Sequence, residues 1–315
     1  MISTLRTAPA IGLLTATVAL TGCGALGDDS EGITVAAGFY PLAYVAEQVA
    51  GDHAEVVNLT KPGQEPHDSE LTIAKTAAIA GADLVIVSGG FQPPVEAGIE
   101  QNATGTVLDV AEVLDLEPAA GADGAGHEHG SQEGHEGHDH GDLGDLDPHF
   151  WHDPLLMADL GDEVADELAD LDPEHARDYQ QNAAVLRERL TELDQEFADG
   201  LAHCERDIVV VSHDAFGYLR RYGLEFEPIA GLSPGAEPTP ADLQRLQRLV
   251  RDNGITTVFS ERLASSAMAD SLADDLGVRT EVLDPIEGLT EDTADEDYVS
   301  LMEANLQALR KANGC

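Results

Sequence analysis

Twelve histidines are spread unevenly along the 315-residue chain, and five of them, His127, His129, His135, His138 and His140, crowd into the tract GHEHGSQEGHEGHDHG. Imidazole is the commonest side-chain ligand for borderline metals. A Gly/His/acid run with no periodicity from which to build a core therefore reads as a metal-collecting loop, 126–141, or as a solvated surface segment with no task. Four other groups could form a more defined site: His67 in GQEPHDSE, His149 in DPHFWHDP, His213 in VVVSHDAFGY and Asp284 in VLDPIEG. Each has a plain alternative, since a lone histidine at a strand end is ordinarily a satisfied core or surface residue and Asp before Pro is a common turn. Asp214 reads as a helix N-cap, His152 and His175 as surface residues at helix starts, and His53 and His203 as loop or helix-end histidines.

The elements that must position these groups follow from hydrophobic patterning. Short β-branched runs at Ile33–Ala37, Glu55–Leu59, Leu84–Ser88 and Thr106–Val110 alternate with helical segments near Leu42–Val49, Glu70–Ala80 and Pro94–Gln101. The rhythm repeats with strands at Ile208–Ser212, Leu224–Ile229, Thr256–Ser260 and Thr280–Leu283. Helices are expected there near Ala215–Tyr222, Ala241–Asp252, Ser266–Leu276 and Tyr298–Lys311. Strands joined by helical crossovers imply an α/β fold of two lobes, each with a parallel four-stranded sheet flanked by helices. Between them, Tyr179, Ala183, Leu186, Leu190, Leu193, Phe197 and Leu201 recur at spacings of three and four after Pro173, predicting one long rigid helix that joins the lobes. Ligands of open parallel sheets bind at the carboxyl ends of the strands, where His67, His213 and Asp284 fall, with His149 in the connection between lobes.

Sixty acidic against sixteen basic residues give a formal net charge of -44, which argues against nucleic acid and anionic lipid as partners and favours cations. Near the start, Arg6 and the apolar stretch Ala8 to Leu20 read as a secretory signal, and Leu20-Thr21-Gly22-Cys23 resembles a bacterial lipobox. That resemblance implies a signal peptide over 1–22, lipidation at Cys23 and a tether over 23–32 that holds the protein to the outer face of the cell membrane. Cys204 and Cys315 then remain, and in an exported protein such a pair favours a disulfide; the alternative is two free thiols acting as metal ligands.

Several motifs in order resemble the cluster A-I (TroA-like) metal solute-binding proteins of ABC importers, specifically the zinc-uptake (ZnuA-like) branch. They are GFYPLAYVAEQVAG, EPHDSELT, the acidic His-rich insertion, DPHFWHDP, the DP-initiated helix, SHDAFGYLRRYGL, PGAEPTP, VFSERL and LDPIEG. The resemblance implies lobes over 33–172 and 204–315, a linking helix over 173–203 and one metal ion between the lobes. It implies His67, His149 and His213 as ligands with Asp284 as the fourth, and Glu65 of the EPH motif, or water, as the rival for that place. Glu261 resembles a retained acid able to orient an imidazole, with a solvated carboxylate as the alternative. Phe150 and Trp151 are expected to pack between the lobes and shield the ion.

Manganese members of that family carry glutamate where this chain has His213, and three imidazoles with one carboxylate suit tetrahedral Zn²⁺. The implied function is extracytoplasmic capture of Zn²⁺ at one tight site, with weak extra ions in the loop, and delivery to an ABC-transporter permease by a monomeric, non-enzymatic protein. The alternatives are a manganese-binding member, a metal-dependent adhesin and a secreted zinc hydrolase. Against the last, the chain lacks HExxH, and four protein ligands leave no open position for an activated water.

Overall fold

The computed structural model describes residues 32–119 and 146–315; Cys23 with the signal segment, and the histidine tract 126–141, lie outside the described residues. The first half runs β1 (Ile33–Ala37), α1 (Tyr40–Ala50), β2 (Ala54–Asn58), α2 (Ile73–Gly81), β3 (Leu84–Val87), α3 (Pro93–Asn102), β4 (Thr106–Asp109) and the single turn α4 (Val110–Val113). Two long helices follow, α5 (Pro154–Leu171) and α6 (Ala176–Leu201). The second half runs β5 (Ile208–Val211), β6 (Glu225–Pro228), α7 (Pro240–Asp252), β7 (Thr257–Ser260), α8 (Ala267–Leu276), β8 (Arg279–Val282) and α9 (Tyr298–Asn313).

Both sheets are parallel and share one topology, β2-β1-β3-β4 and β6-β5-β7-β8. Alternation along the strands divides the core. Val35, Ala37, Leu84 and Ile86 join Val209 and Val211 in one apolar cluster that runs through both lobes, whereas Ala36, Val85 and Val87 in one lobe and Val210 and Val258 in the other pack outward under separate helices. The seven-residue stripe foreseen on α6 is buried and belongs to the shared cluster. At 26 residues the helix is about 39 Å long.

Three details depart from the sequence reading. The connection is a helix pair, because α5 lies alongside α6 with its own buried stripe from Met157 to Leu168, started by Pro154 in its first turn and by the Asp153 carboxylate accepting the Leu155 N–H. Pro173 sits in the turn before α6, where Asp172 accepts from His175 Nδ1 and the Tyr179 hydroxyl. Residues 215–222 form a 3-10 turn over Gly217–Tyr222, ended by left-handed Gly223. Asp214 therefore caps no helix and faces Arg220 instead. The turn stays tight because Gly217 lies where a Cβ would strike the Asp147 carboxylate.

Cys204 and Cys315 form a disulfide that ties the end of α9 back to the end of α6. Cross-linking residues 111 apart removes much of the freedom of the unfolded chain. Replacing both cysteines with alanine is expected to lower the unfolding free energy by about 2–5 kcal/mol, read from urea unfolding of the non-reduced proteins. A loss below about 1 kcal/mol would mean that α9 docks as firmly without the bond.

Candidate metal site

Segments that follow the carboxyl ends of strands in both sheets meet at the site. His67 comes from the long loop after β2, His213 from two residues past β5, and His149 from the segment that enters the single 3-10 turn before α5. The sequence-predicted histidines converge, with imidazole centroids 5.5, 5.6 and 5.9 Å apart. The carboxylate that joins them is Glu287, not Asp284: one ligand atom from each of His67, His149, His213 and Glu287 lies within 4.8 Å of the others. Glu287 Oε1 stands 3.3 Å from His213 Nε2, 3.5 Å from His67 Nε2 and 3.8 Å from His149 Nε2.

Asp284 stands outside that cluster, its carboxylate engaged elsewhere. One of its oxygens accepts the Ile286 N–H at 2.8 Å and the other pairs with Arg262 Nε at 2.8 Å, so the Asp-Pro turn uses the carboxylate to shape itself. Glu65 accepts the His67 N–H at 2.9 Å through Oε1 and leaves Oε2 buried without a partner, and burial followed by the charge of Glu287 pushes its carboxyl upward. Neither enters the four-residue cluster.

Two imidazoles are oriented from behind. His149 Nδ1 donates to Asp147 at 2.8 Å, with the His149 backbone N–H on the same oxygen, and His213 Nδ1 donates to Glu261 at 2.7 Å. Glu261 also takes the Ser212 hydroxyl. A proton committed to Nδ1 turns the Nε2 lone pair into the cleft, which is the tautomer a metal needs. Asp147 is itself fixed, since the Tyr218 hydroxyl donates to its carbonyl at 2.9 Å. The His67 loop is pinned by buried Gln92, whose amide donates to Thr60 Oγ1 at 3.0 Å and to the carbonyl of Pro66 at 3.2 Å. Asp147 and Gln92 escaped the sequence reading. Asp147, two residues before His149 in DPH, is legible as an Asx turn; nothing local marks Gln92.

Five buried polar atoms meet in the cleft without a hydrogen-bond partner: Nε2 of His67, His149 and His213 and both carboxylate oxygens of Glu287. Stranding so many buried polar atoms is costly, and their mutual separations are too long for direct bonds. Donors around a tetrahedral ion with bonds of 2.0–2.1 Å sit about 3.3–3.4 Å apart, close to the spacing observed between Glu287 and His213. The donor set thus fits a small divalent cation. Against the pull of burial, which would lower it, contacts with Glu261 and Glu287 hold His213 up at about 10. For Glu287, burial acts upward, but the nearby imidazoles of His213 and His67 prevail and keep the carboxyl well below its usual range.

An aromatic wall closes the site. Phe39, Phe91 and Trp151 pack with centroids 4.5–5.2 Å apart, Phe91 meeting His67 and Trp151 meeting His149 edge-on. Phe150 and Trp151 are fully buried, and Trp151 reaches across the cleft to the second lobe through its indole N–H. His152 is also fully buried against Phe216, contrary to the surface position expected, because the 3-10 turn folds it inward; burial pushes it down to about 3 and keeps it neutral. His53 and His175 lie part-exposed at the surface with their rings stacked 4.0 Å apart.

Fold and site together define a two-lobed α/β protein with a cation-sized cluster of three imidazoles and a carboxylate in the cleft. The sequence model of the family "Zinc-uptake complex component A periplasmic", ZnuA, matches residues 35–312, and the chain belongs to that family. The chain is 33% identical over 291 residues to the high-affinity zinc uptake system protein ZnuA of Bacillus subtilis (strain 168), covering 90% of this chain and 88% of that one. It is 35% identical over 280 residues to the zinc-binding lipoprotein AdcA of Streptococcus pneumoniae (strain R6), covering 87% of this chain but 54% of that protein, so it spans about half the length of that relative. The crystal structure of the Zn(II)-bound ZnuA-like domain of the pneumococcal AdcA superposes with a TM-score of 0.72 at 31% identity, covering 90% of this chain and 100% of that domain.

Proposed function

We propose that this protein captures Zn²⁺ outside the cell membrane and delivers it to the permease of an ABC importer, acting as a monomeric binding protein and not as an enzyme. The observation that carries the reading is the convergence of five unpartnered buried donor atoms from His67, His149, His213 and Glu287 on one point. Three neutral imidazoles with one carboxylate form a donor set that zinc accepts and that the harder manganese ion favours less. Four protein donors leave no coordination position for an activated water, which sets the site apart from the open zinc of a hydrolase. The names of the relatives in Bacillus subtilis and Streptococcus pneumoniae agree with this cargo. Attachment through lipidated Cys23 belongs to the same proposal. Among the described residues no helix is long and apolar enough to cross a membrane.

Elemental analysis of protein purified without added metal should find one equivalent of zinc that Mn²⁺ does not displace. Added zinc should occupy further weak sites in calorimetry, and deleting 126–141 should remove these and leave the tight one. Loss of the tight site with the deletion would place the loop inside the primary cage.

A further inference from the structure

Glu287 is presented by a turn held from several directions. Its preceding residue, Ile286, has φ 58°, the only positive value for a non-glycine among the described residues, and is fully buried. A β-branched residue in the left-handed region is strained, and such strain persists only where surrounding contacts over-determine it. Here they do. Asp284 accepts the Ile286 N–H and binds Arg262, while Asn305 holds both backbone polar groups of Asp284 at 2.8 and 2.6 Å. From the opposite lobe the Trp151 indole N–H donates to the Pro285 carbonyl at 2.7 Å, and the Gly63 N–H donates to the Leu289 carbonyl at 2.7 Å. The Trp151 carbonyl is fixed in turn by the Tyr298 hydroxyl at 2.5 Å.

These contacts couple donors that are distant in sequence. Trp151 lies two residues past His149, and Pro285 two residues before Glu287. One hydrogen bond across the cleft therefore relates the aim of the carboxylate to the segment that carries an imidazole. We propose that Trp151, with Asp284 and Asn305, positions Glu287 for the ion: the indole N–H fixes the strained turn from the other lobe, so Glu287 reaches the donor cluster only while the lobes are in register. The inference rests on the reading of His67, His149, His213 and Glu287 as the donors. It gives Asp284 a role through the turn in place of ligation.

The test is a double-mutant cycle on the full chain, with zinc dissociation constants from competition with a chelator of known affinity and thermal melts of the ion-free proteins. Trp151→Phe keeps an aromatic ring against Phe39 and Phe91 but deletes the N–H. In the otherwise wild-type protein it should raise the dissociation constant about 10–100-fold, the usual scale for a residue that orients a ligand. In a Glu287→Ala background it should add almost nothing, since no carboxylate remains to be aimed. An equal loss in both backgrounds would show Trp151 acting through His149 or as packing alone, and no loss in the first background would remove its role; either result overturns the proposal. Glu287→Ala measured alone separates this from the site reading: if that protein binds zinc as tightly as wild type, the fourth donor is misassigned and the positioning proposal falls with it. Should Trp151→Phe fold poorly, Asn305→Ala loosens the same turn from within its own lobe, and its effect must likewise vanish in the Glu287→Ala background or the proposal is wrong.

Discussion

Replacing His213 with alanine is expected to raise the zinc dissociation constant by well over 100-fold, beyond the 10–100-fold typical of residues that only orient ligands. The side chain is fully buried and placed between two acids, with Nδ1 on Glu261 and Nε2 facing Glu287. Removing it deletes a donor and strands two buried carboxylates at once. Breaking a buried ion pair by truncating one partner costs about 3–5 kcal/mol, so the ion-free variant should also melt at a lower temperature than wild type. Nanomolar zinc affinity surviving in His213→Ala would overturn the assignment of the site.

Zinc affinity should also rise steadily with pH across the neutral range. Held at about 10 by Glu261 and Glu287, His213 carries a proton in the ion-free protein at pH 7, and zinc must expel it to reach Nε2. Below pH 10 each ion bound therefore releases that proton. The sign follows: the dissociation constant falls about tenfold for every unit of rising pH, or about 100-fold from pH 6 to pH 8, and levels off only near pH 10. Calorimetry in buffers of different ionisation enthalpy should count about one proton released per ion at pH 7.5. A flat dissociation constant between pH 6 and 8 would mean that no protonated histidine stands in the cage.

The two-sheet architecture and three of the four clustered residues were legible because their signals are local. Val209, Val210 and Val211 followed by Ser212-His213, and the Pro62-Gly63 and Glu65-Pro66 kinks before His67, mark strand ends and non-helical loops without knowledge of the partner lobe. The long stripe of α6 was equally plain. Its neighbour α5 is announced only by Asp153-Pro154, a pair that reads equally well as part of the histidine motif DPHFWHDP. Glu287 could not be read this way. Choosing between Asp284 and a glutamate three residues on depends on the reversal at Ile286, and a buried isoleucine in the left-handed region has no signature in composition or spacing. Arg262, which takes the Asp284 carboxylate out of contention, and Asn305, which braces its backbone, come from elements 22 and 21 residues away, beyond the reach of any local rule.

His149, His213 and Glu287 expose none of their side-chain surface, and His67 exposes 13% of its own. Among these groups only His67 offers surface to a chelator in solution, which disfavours a ternary complex of protein, zinc and chelator. Loss of zinc is then expected to be unimolecular, with a rate that stays constant when release is followed at rising chelator concentration. On that expectation the residence time of the cargo is a property of the protein itself, and mild extracellular ligands such as carboxylic acids or amino acids would not shorten it.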